Sequence, residues 1–331
     1  MTLAGSLGHG RRRDSRMQVT VAMAAFNGER FIRDSVLSVL RSTYRDFTLL
    51  VMDDASTDST FRILKSFHDP RIRLVRHEEN RGLVATRNEI LELAPTDLLF
   101  WLDQDDLMYP QRLADQIDVM VRNPSLGIVG SWTMHRRMTP SGNVRLRTVR
   151  FPIEQANIRA WNIFTNAFSF NTMAFRLSVL RHAQLKFRPA YGNALDYDLA
   201  SRAADLLPVM NMPTVLGEYR IHSEQTSQGP GGRQLSASAS QIRIDVLRRN
   251  FGEEITSLDL AALIDDEAES DSVNNAAELC LRLLELNERH LHYTQDALKL
   301  ASVHFLCRAL WRHPEKLRKG KVREALIKSN F

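Results

Sequence analysis

Cysteine is nearly missing from the sequence: Cys280 and Cys307 are the only two in 331 residues. Two thiols cannot make a disulfide framework, so a reducing compartment is expected, with both side chains serving as small buried apolar groups. No apolar run approaches the roughly 18 residues that a bilayer-spanning helix needs. No cleavage-site pattern marks a secretory leader. Glycine is scarce where it would be diagnostic. The turn after the first apolar run, "AAFNGER", holds one glycine. That excludes the glycine-rich phosphate loop that a nicotinamide dehydrogenase or a nucleotidyltransferase would place there. No aromatic-basic interleaving occurs, so nucleic acid is not an expected partner.

What is present suits a soluble globular chain, with 44% apolar and 25% charged residues, able to bury a core without staples. The formal charge of +5 is concentrated at the two ends. Arg11, Arg12, Arg13 and Arg16 mark residues 1–16 as a disordered basic lead. Lys316, Arg318, Lys319, Lys321 and Arg323 form a second cluster, suited to peripheral contact with an anionic membrane surface.

From Met17 the pattern alternates. Apolar, β-branched runs at Gln18–Phe26, "FTLLVMDD", "RIRLVRHE" and "DLLFWLD" read as strands. Helical periodicity follows each: "RFIRDSVLSVLRS", "STDSTFRILKSF" with Ser56 or Thr57 as N-cap, "RGLVATRNEILELA", and "PQRLADQIDVMVRN" with Pro110 in its first turn. Four strand–helix repeats in about 125 residues predict an α/β fold, a sheet flanked by helices. Ligands of such sheets bind beyond the carboxyl ends of the strands. Asn27, Asp53, Asp54, Asp103 and Asp105 all fall there. Shorter segments follow, then a Gly-, Ser- and Pro-rich stretch, "SQGPGGRQLSAS", that reads as a boundary or flap. Beyond it the chain is helical, with strong apolar stripes.

The stretch "DLLFWLDQDDLMYP" drives an apolar strand into three carboxylates, Asp103, Asp105 and Asp106. Such a cluster at the edge of a core is costly unless something positive completes it. Asp106 alone fits a helix N-terminus. A phospho-accepting receiver domain would end near 120 residues. A hard divalent cation, Mn²⁺ or Mg²⁺, takes one or two carboxylates and leaves its other positions to water and a substrate diphosphate.

These segments, in this order, resemble a family 2 glycosyltransferase of the GT-A fold. The likeness runs through "AAFNGERFIRDSVLSVL", "LLVMDDASTDST", "NRGLVATRNEILELA", "WLDQDD", "ALDYDLASR" and "YRIHSEQTS", roughly Met17 to Gln228. It implies a Rossmann-like nucleotide-diphospho-sugar transferase with a mixed sheet and a C-terminal helical extension. It also implies roles. Asp54 would hydrogen-bond a nucleotide base, usually uracil, with Asp53 beside it and Phe26 and Asn27 shaping the pocket. Arg87 would hold the nucleotide or its phosphates, Asp103 would sit near the ribose, and Asp105 would ligate the metal with His222 close by. Asp196 would be the general base of an inverting transfer. The chain departs from the family in having Ala25 where a proline is usual and Leu195 where a glutamate often precedes the base. Asp198, two residues on, is the competing base.

The resulting expectation is a GT-A catalytic domain over residues 17–230 and a helical region over 231–331. The partners would be a nucleotide-diphosphate sugar, a glycan or lipid-linked acceptor, and a second copy or the inner face of a membrane against the C-terminal helices. A cytoplasmic location is expected. A catalytically inactive glycan- or nucleotide-sugar-binding protein on the same fold is the alternative.

Overall fold

The computed structural model describes residues 17–138, 142–225, 229–256, 259, 263, 272–312 and 320–328. The basic lead 1–16 and Lys316, Arg318 and Lys319 lie outside the described residues.

The first four expected strands form, as β1 (Val19–Ala25), β2 (Phe47–Asp53), β3 (Ile72–Arg76) and β4 (Leu98–Trp101). They lie parallel in the order β3-β2-β1-β4. Helices α1 (Ile32–Leu40), α2 (Thr60–Lys65), α3 (Leu83–Leu93) and α4 (Arg112–Arg122) cover them. β1, β2 and β4 are apolar on both faces because both faces are buried, while the edge strand β3 is partly exposed and carries Arg73 and Arg76. Val19, Val21 and Met23 of β1 join one core with Ile32, Val36 and Leu113, while Ala22 joins the opposite core with Ile90 and Phe175. The same two-residue alternation in β2 and β4 splits Leu49 from Leu50 and Phe100 from Trp101.

The sheet continues with strands of mixed direction: β5 (Leu107–Met108), β6 (Ile128–Met138), β7 (Val144–Val149), β8 (Ala174–Arg176) and β9 (Val209–Ile221). β8 runs antiparallel to β4, β9 parallel to β6 and antiparallel to β5, and β7 pairs only with β6. Helices α5 (Gln155–Trp161), α6 (Leu177–His182) and α7 (Leu195–Leu206) cover this half.

The Gly- and Pro-rich stretch differs from its expected form. From Gly229 it is the first turn of a helix, α8 (Gly229–Phe251), where a proline that lacks an N–H costs little. Helices α9 (Ser272–His290), α10 (Gln295–Arg312) and α11 (Gly320–Lys328) complete the chain. They share a core with Ile163, Phe164, Tyr191 and Tyr197 of the sheet-bearing part. Trp161 stacks on His304 and Phe164 on Phe305, with ring centroids 4.1 and 4.5 Å apart. Cys280 is buried as expected, but Cys307 is exposed on α10. No helix among the described residues is long and apolar enough to cross a membrane.

Candidate functional site

The carboxyl ends of β1, β2 and β4 meet at one edge. The loop after β1 carries Phe26 and Asn27. Asn27 has a positive φ of 49°, a conformation that asparagine tolerates better than most residues. Its backbone N–H donates to Ser56 Oγ at 3.0 Å, and its side-chain oxygen accepts from Thr57 N at 2.9 Å. Ser56 and Thr57 therefore tie the β1 and β2 loops together and do not cap α2, which starts at Thr60. Phe26 is 42% exposed, and its N–H and C=O are both held by the amide of Gln104, at 3.0 and 2.9 Å.

Asp53 and Asp54 end β2, and both are buried. Asp53 faces Arg76 Nε at 3.3 Å, yet neither of its oxygens makes a hydrogen bond. Asp54 is densely bonded. Oδ1 accepts from Arg81 N at 2.8 Å and faces His77 Nδ1 at 2.6 Å, and Oδ2 accepts from Gly82 N at 2.8 Å. Burial works to raise its carboxyl, but these donors outweigh burial and hold it below the usual carboxylate range. His77 was not singled out in the sequence. It lies just past β3, with Nε2 3.2 Å from Glu89. A cleft of about 530 Å³ lined by His77, Glu78, Glu79 and Arg81 opens beside Asp54.

Arg87 projects from α3 to the end of β4, where Nη2 donates to Asp103 Oδ1 at 2.8 Å. Its guanidinium lies 3.8 Å above the centroid of the Phe170 ring. Burial pushes the Asp103 carboxyl up to about 6; Arg87 opposes this, and the charges of Asp105 and Asp196 add to it. The structure thus brings Asp196, 93 residues away by its number, to the same acidic cluster. Asp196 sits in the first turn of α7, half-buried, and its Oδ2 accepts from Asn166 Nδ2 at 2.8 Å. Burial raises its carboxyl too, against Arg87, backbone N–H groups and Asn166. Asp198 points away into a clamp of Arg188 and Arg202.

Asp105 Oδ2 lies 3.0 Å from His222 Nε2, just beyond β9. The imidazole packs on Phe31, with centroids 4.2 Å apart, and its Nδ1 is buried without a partner. Asp106 is more than a helix N-terminal acid. It is fully buried, accepts from Arg220 N at 2.9 Å, and is pushed well above the usual range by burial and then by Asp105 and Asp103. One carboxylate, one imidazole and two further acids beside them, both raised by burial, fit a hard divalent cation that completes its shell from water and substrate. Among the described residues no three or more His, Cys, Asp or Glu side chains are grouped to hold a metal by themselves.

Behind the cluster, Arg112 is fully buried and donates to the carbonyls of Trp101, Asn171 and Met173 and to Gln116 Oε1, at 2.7 to 3.1 Å. Burial pulls it down to about 9. It pins the end of β4, two residues before Asp103, to the segment carrying Phe170.

The "Glycosyl transferase family 2" family model matches residues 20–182, just under half of the chain. A curated relative named an uncharacterized glycosyltransferase, from Haemophilus influenzae, is 28% identical over 216 residues, covering 63% of this chain and 67% of the relative. Two further relatives are matched over only 42% of their own length. Among solved structures, TarS of S. aureus in complex with UDP-GlcNAc superposes with a TM-score of 0.55 at 17% identity, covering 94% of this chain and 89% of TarS. The mannosyltransferase PcManGT of Pyrobaculum calidifontis, in complex with GDP-Man and Mn²⁺, gives a TM-score of 0.52 at 17% identity, with 94% and 85% covered. At such identities these two likenesses speak for the fold alone, and the fold is the expected GT-A arrangement.

Proposed function

We propose that this chain, whose residues 20–182 match the family 2 glycosyltransferase model, moves a sugar from a nucleotide-diphosphate donor to a hydroxyl of a glycan or lipid-linked acceptor. The observation that carries this reading is the convergence of Asp103, Arg87, Asp196 and the Asp105–His222 pair at one sheet edge. A UDP-sugar is the proposed donor. Phe26, Asn27, Asp53 and Asp54 form the wall for its base. A carboxylate oxygen has two acceptor positions, and Oδ2 of Asp54 uses one on Gly82, so one remains for the base. Arg87 offers a fixed, delocalised charge to the nucleotide and orients Asp103 toward the ribose.

Asp105 and His222 would hold Mn²⁺ or Mg²⁺, which when bound supplies positive charge against the diphosphate leaving group. Asp196 takes the proton of the acceptor hydroxyl. Its raised carboxyl makes it a better base than an ordinary aspartate, and Asn166 keeps one oxygen oriented. A base on the face opposite the leaving group inverts the anomeric carbon.

The test is thermal stability with Mn²⁺ against UDP, GDP, dTDP and CMP, for the parent and for Asp105→Ala. A metal-dependent shift with one nucleotide, lost in the variant, supports the donor site. A nucleotide shift in a protein that transfers no sugar would favour the inactive binding protein.

A further inference from the structure

We propose that the ribbon made by the outer halves of β6 and β7 docks on an anionic lipid bilayer. β7 is the outer edge of the ribbon, while β9 flanks β6 as far as Ile221. β6 is buried from Ile128 to Ser131 and exposed from Arg136 to Met138, and β7 is exposed from Val144 to Thr148. Register fixes what each face carries. Met138 pairs with Val144, Arg136 with Leu146 and Met134 with Thr148, so these share one face. Arg137 pairs with Arg145 and His135 with Arg147 on the other. One face is largely apolar at its outer end, with Met138, Val144 and Leu146 at 64, 43 and 59% exposure. The opposite face is basic.

The charge is one-sided. From Met134 to Arg150 the sequence contains five arginines and no aspartate or glutamate. Arg136 reaches Glu218 of the neighbouring β9 at 3.5 Å. Arg137, Arg145 and Arg147 pair with no acid among the described residues. Cross-strand arginines repel, so the fold keeps Arg137 opposite Arg145 at a cost that an anionic partner would remove. Guanidinium groups engage phosphate oxygens in pairs. The exposed apolar side chains lie on the opposite face, so the ribbon would enter the boundary between headgroups and acyl chains edge-on, with the β7 edge leading and both faces in contact.

A second copy of the chain fits the ribbon poorly. β7 is an edge strand, and symmetric pairing of two such edges would set arginines against arginines. A polyanionic glycan would answer the arginines but leave Met138, Val144 and Leu146 unused. The ribbon is also near the site: Arg137 is in register with Ile221, the residue before His222. Docking there would set the Asp105–His222 edge close to the bilayer. The inference rests on the ribbon alone and does not require the transfer reading.

The experiment is sedimentation of the full chain with vesicles of phosphatidylcholine, with or without phosphatidylglycerol. Binding is expected only with the anionic lipid, and it should weaken with added salt. Arg137→Gln/Arg145→Gln/Arg147→Gln should weaken it about a hundredfold, at about fivefold for each basic residue removed. Met138→Ser/Leu146→Ser should weaken it further at high salt. A control with the five C-terminal basic residues, Lys316 to Arg323, changed to Gln should bind like the parent. A ribbon variant that binds as the parent does, or a loss confined to the C-terminal control, overturns the proposal. So does soluble polyphosphate bound as tightly as vesicles with no effect of the apolar changes, which would assign the surface to a polyanion. The ribbon side chains are exposed, so unchanged melting of the variants separates lost docking from lost folding.

Discussion

Arg87 Nη2 stands 2.8 Å from Asp103 Oδ1 while the central carbon of the same guanidinium lies 3.8 Å from the centroid of the Phe170 ring. One side chain therefore links α3, the end of β4 and the segment before β8. The ring closes one side of the guanidinium and leaves its remaining N–H groups to carboxylate or phosphate. Lysine has no planar fork, so Arg87→Lys is not conservative here. Losing a charge-assisted hydrogen bond of this kind is worth about tenfold to a hundredfold. Titration calorimetry with UDP should show nucleotide binding weakened by that factor in Arg87→Lys, with the fold retained. Unchanged binding would remove Arg87 from the donor site.

Asp54 and His77 give a stability prediction. The Asp54 carboxyl lies below the usual range because bonds from the Arg81 and Gly82 N–H groups and His77 outweigh burial. A carboxyl depressed in the folded state adds stability above its unfolded value and loses it as pH falls through the folded one. Asp54→Asn should thus be less stable than the parent at neutral pH, by about 1–3 kcal/mol for a buried donor left unmatched. The difference should shrink as pH falls below the ordinary carboxylate range. Urea unfolding at several pH values measures it, and a constant difference would mean that the charge of Asp54 contributes nothing.

Asp196 and Asn166 give a rate prediction. A general base works only when ionised, and burial raises the carboxyl of Asp196, the proposed base. Activity should rise with pH along a limb lying above the ordinary aspartate range. Asn166 donates to Oδ2 and favours the ionised form. Asn166→Ala should move that limb to higher pH while the plateau rate changes less. Asp196→Asn should lower kcat by about 10²–10⁴-fold across all pH. An unmoved limb in Asn166→Ala would take Asp196 out of the base role.

The parallel half of the fold was legible because its strands are long enough to show a period of two and its helices a period near 3.6. The strand ends then named Asn27, Asp53, Asp54, Asp103 and Asp105 by position. β5 and β8 were not legible, since two or three residues carry no period. The Gly229–Gly232 turn of α8 was misleading because local breakers are tolerated in a first turn that neighbours support. His77, Asn166 and Gln104 were missed for another reason. Each acts through a partner 23, 30 or 78 residues away, and nothing local marks such a pair. His77 was the most findable, as the residue just past a strand that ends at the same edge.

The helical C-terminal region bears on Asp196, the proposed base, through Gly192. That residue lies in the 3₁₀ segment Pro189–Ala194, which feeds directly into α7 and Asp196. Its φ of 46° and ψ of −114° suit only glycine. A Cβ there would meet Gln234 Nε2 of α8 at 3.1 Å. One residue earlier, the Tyr191 hydroxyl donates to Asp245 of α8, and burial together with that carboxylate pushes the phenol up to about 12. α8 thus holds the chain four residues before Asp196. Gly192→Ala must rearrange this approach, at about 1–3 kcal/mol for the strained backbone. Tyr191→Phe removes only the hydroxyl and leaves the backbone alone. Both variants should lower kcat, Gly192→Ala the more strongly, and neither should change nucleotide affinity, because Arg87 and the Asp105–His222 pair stand on other elements. A fall in nucleotide affinity to match the fall in kcat would mean that α8 supports the whole domain and not the base.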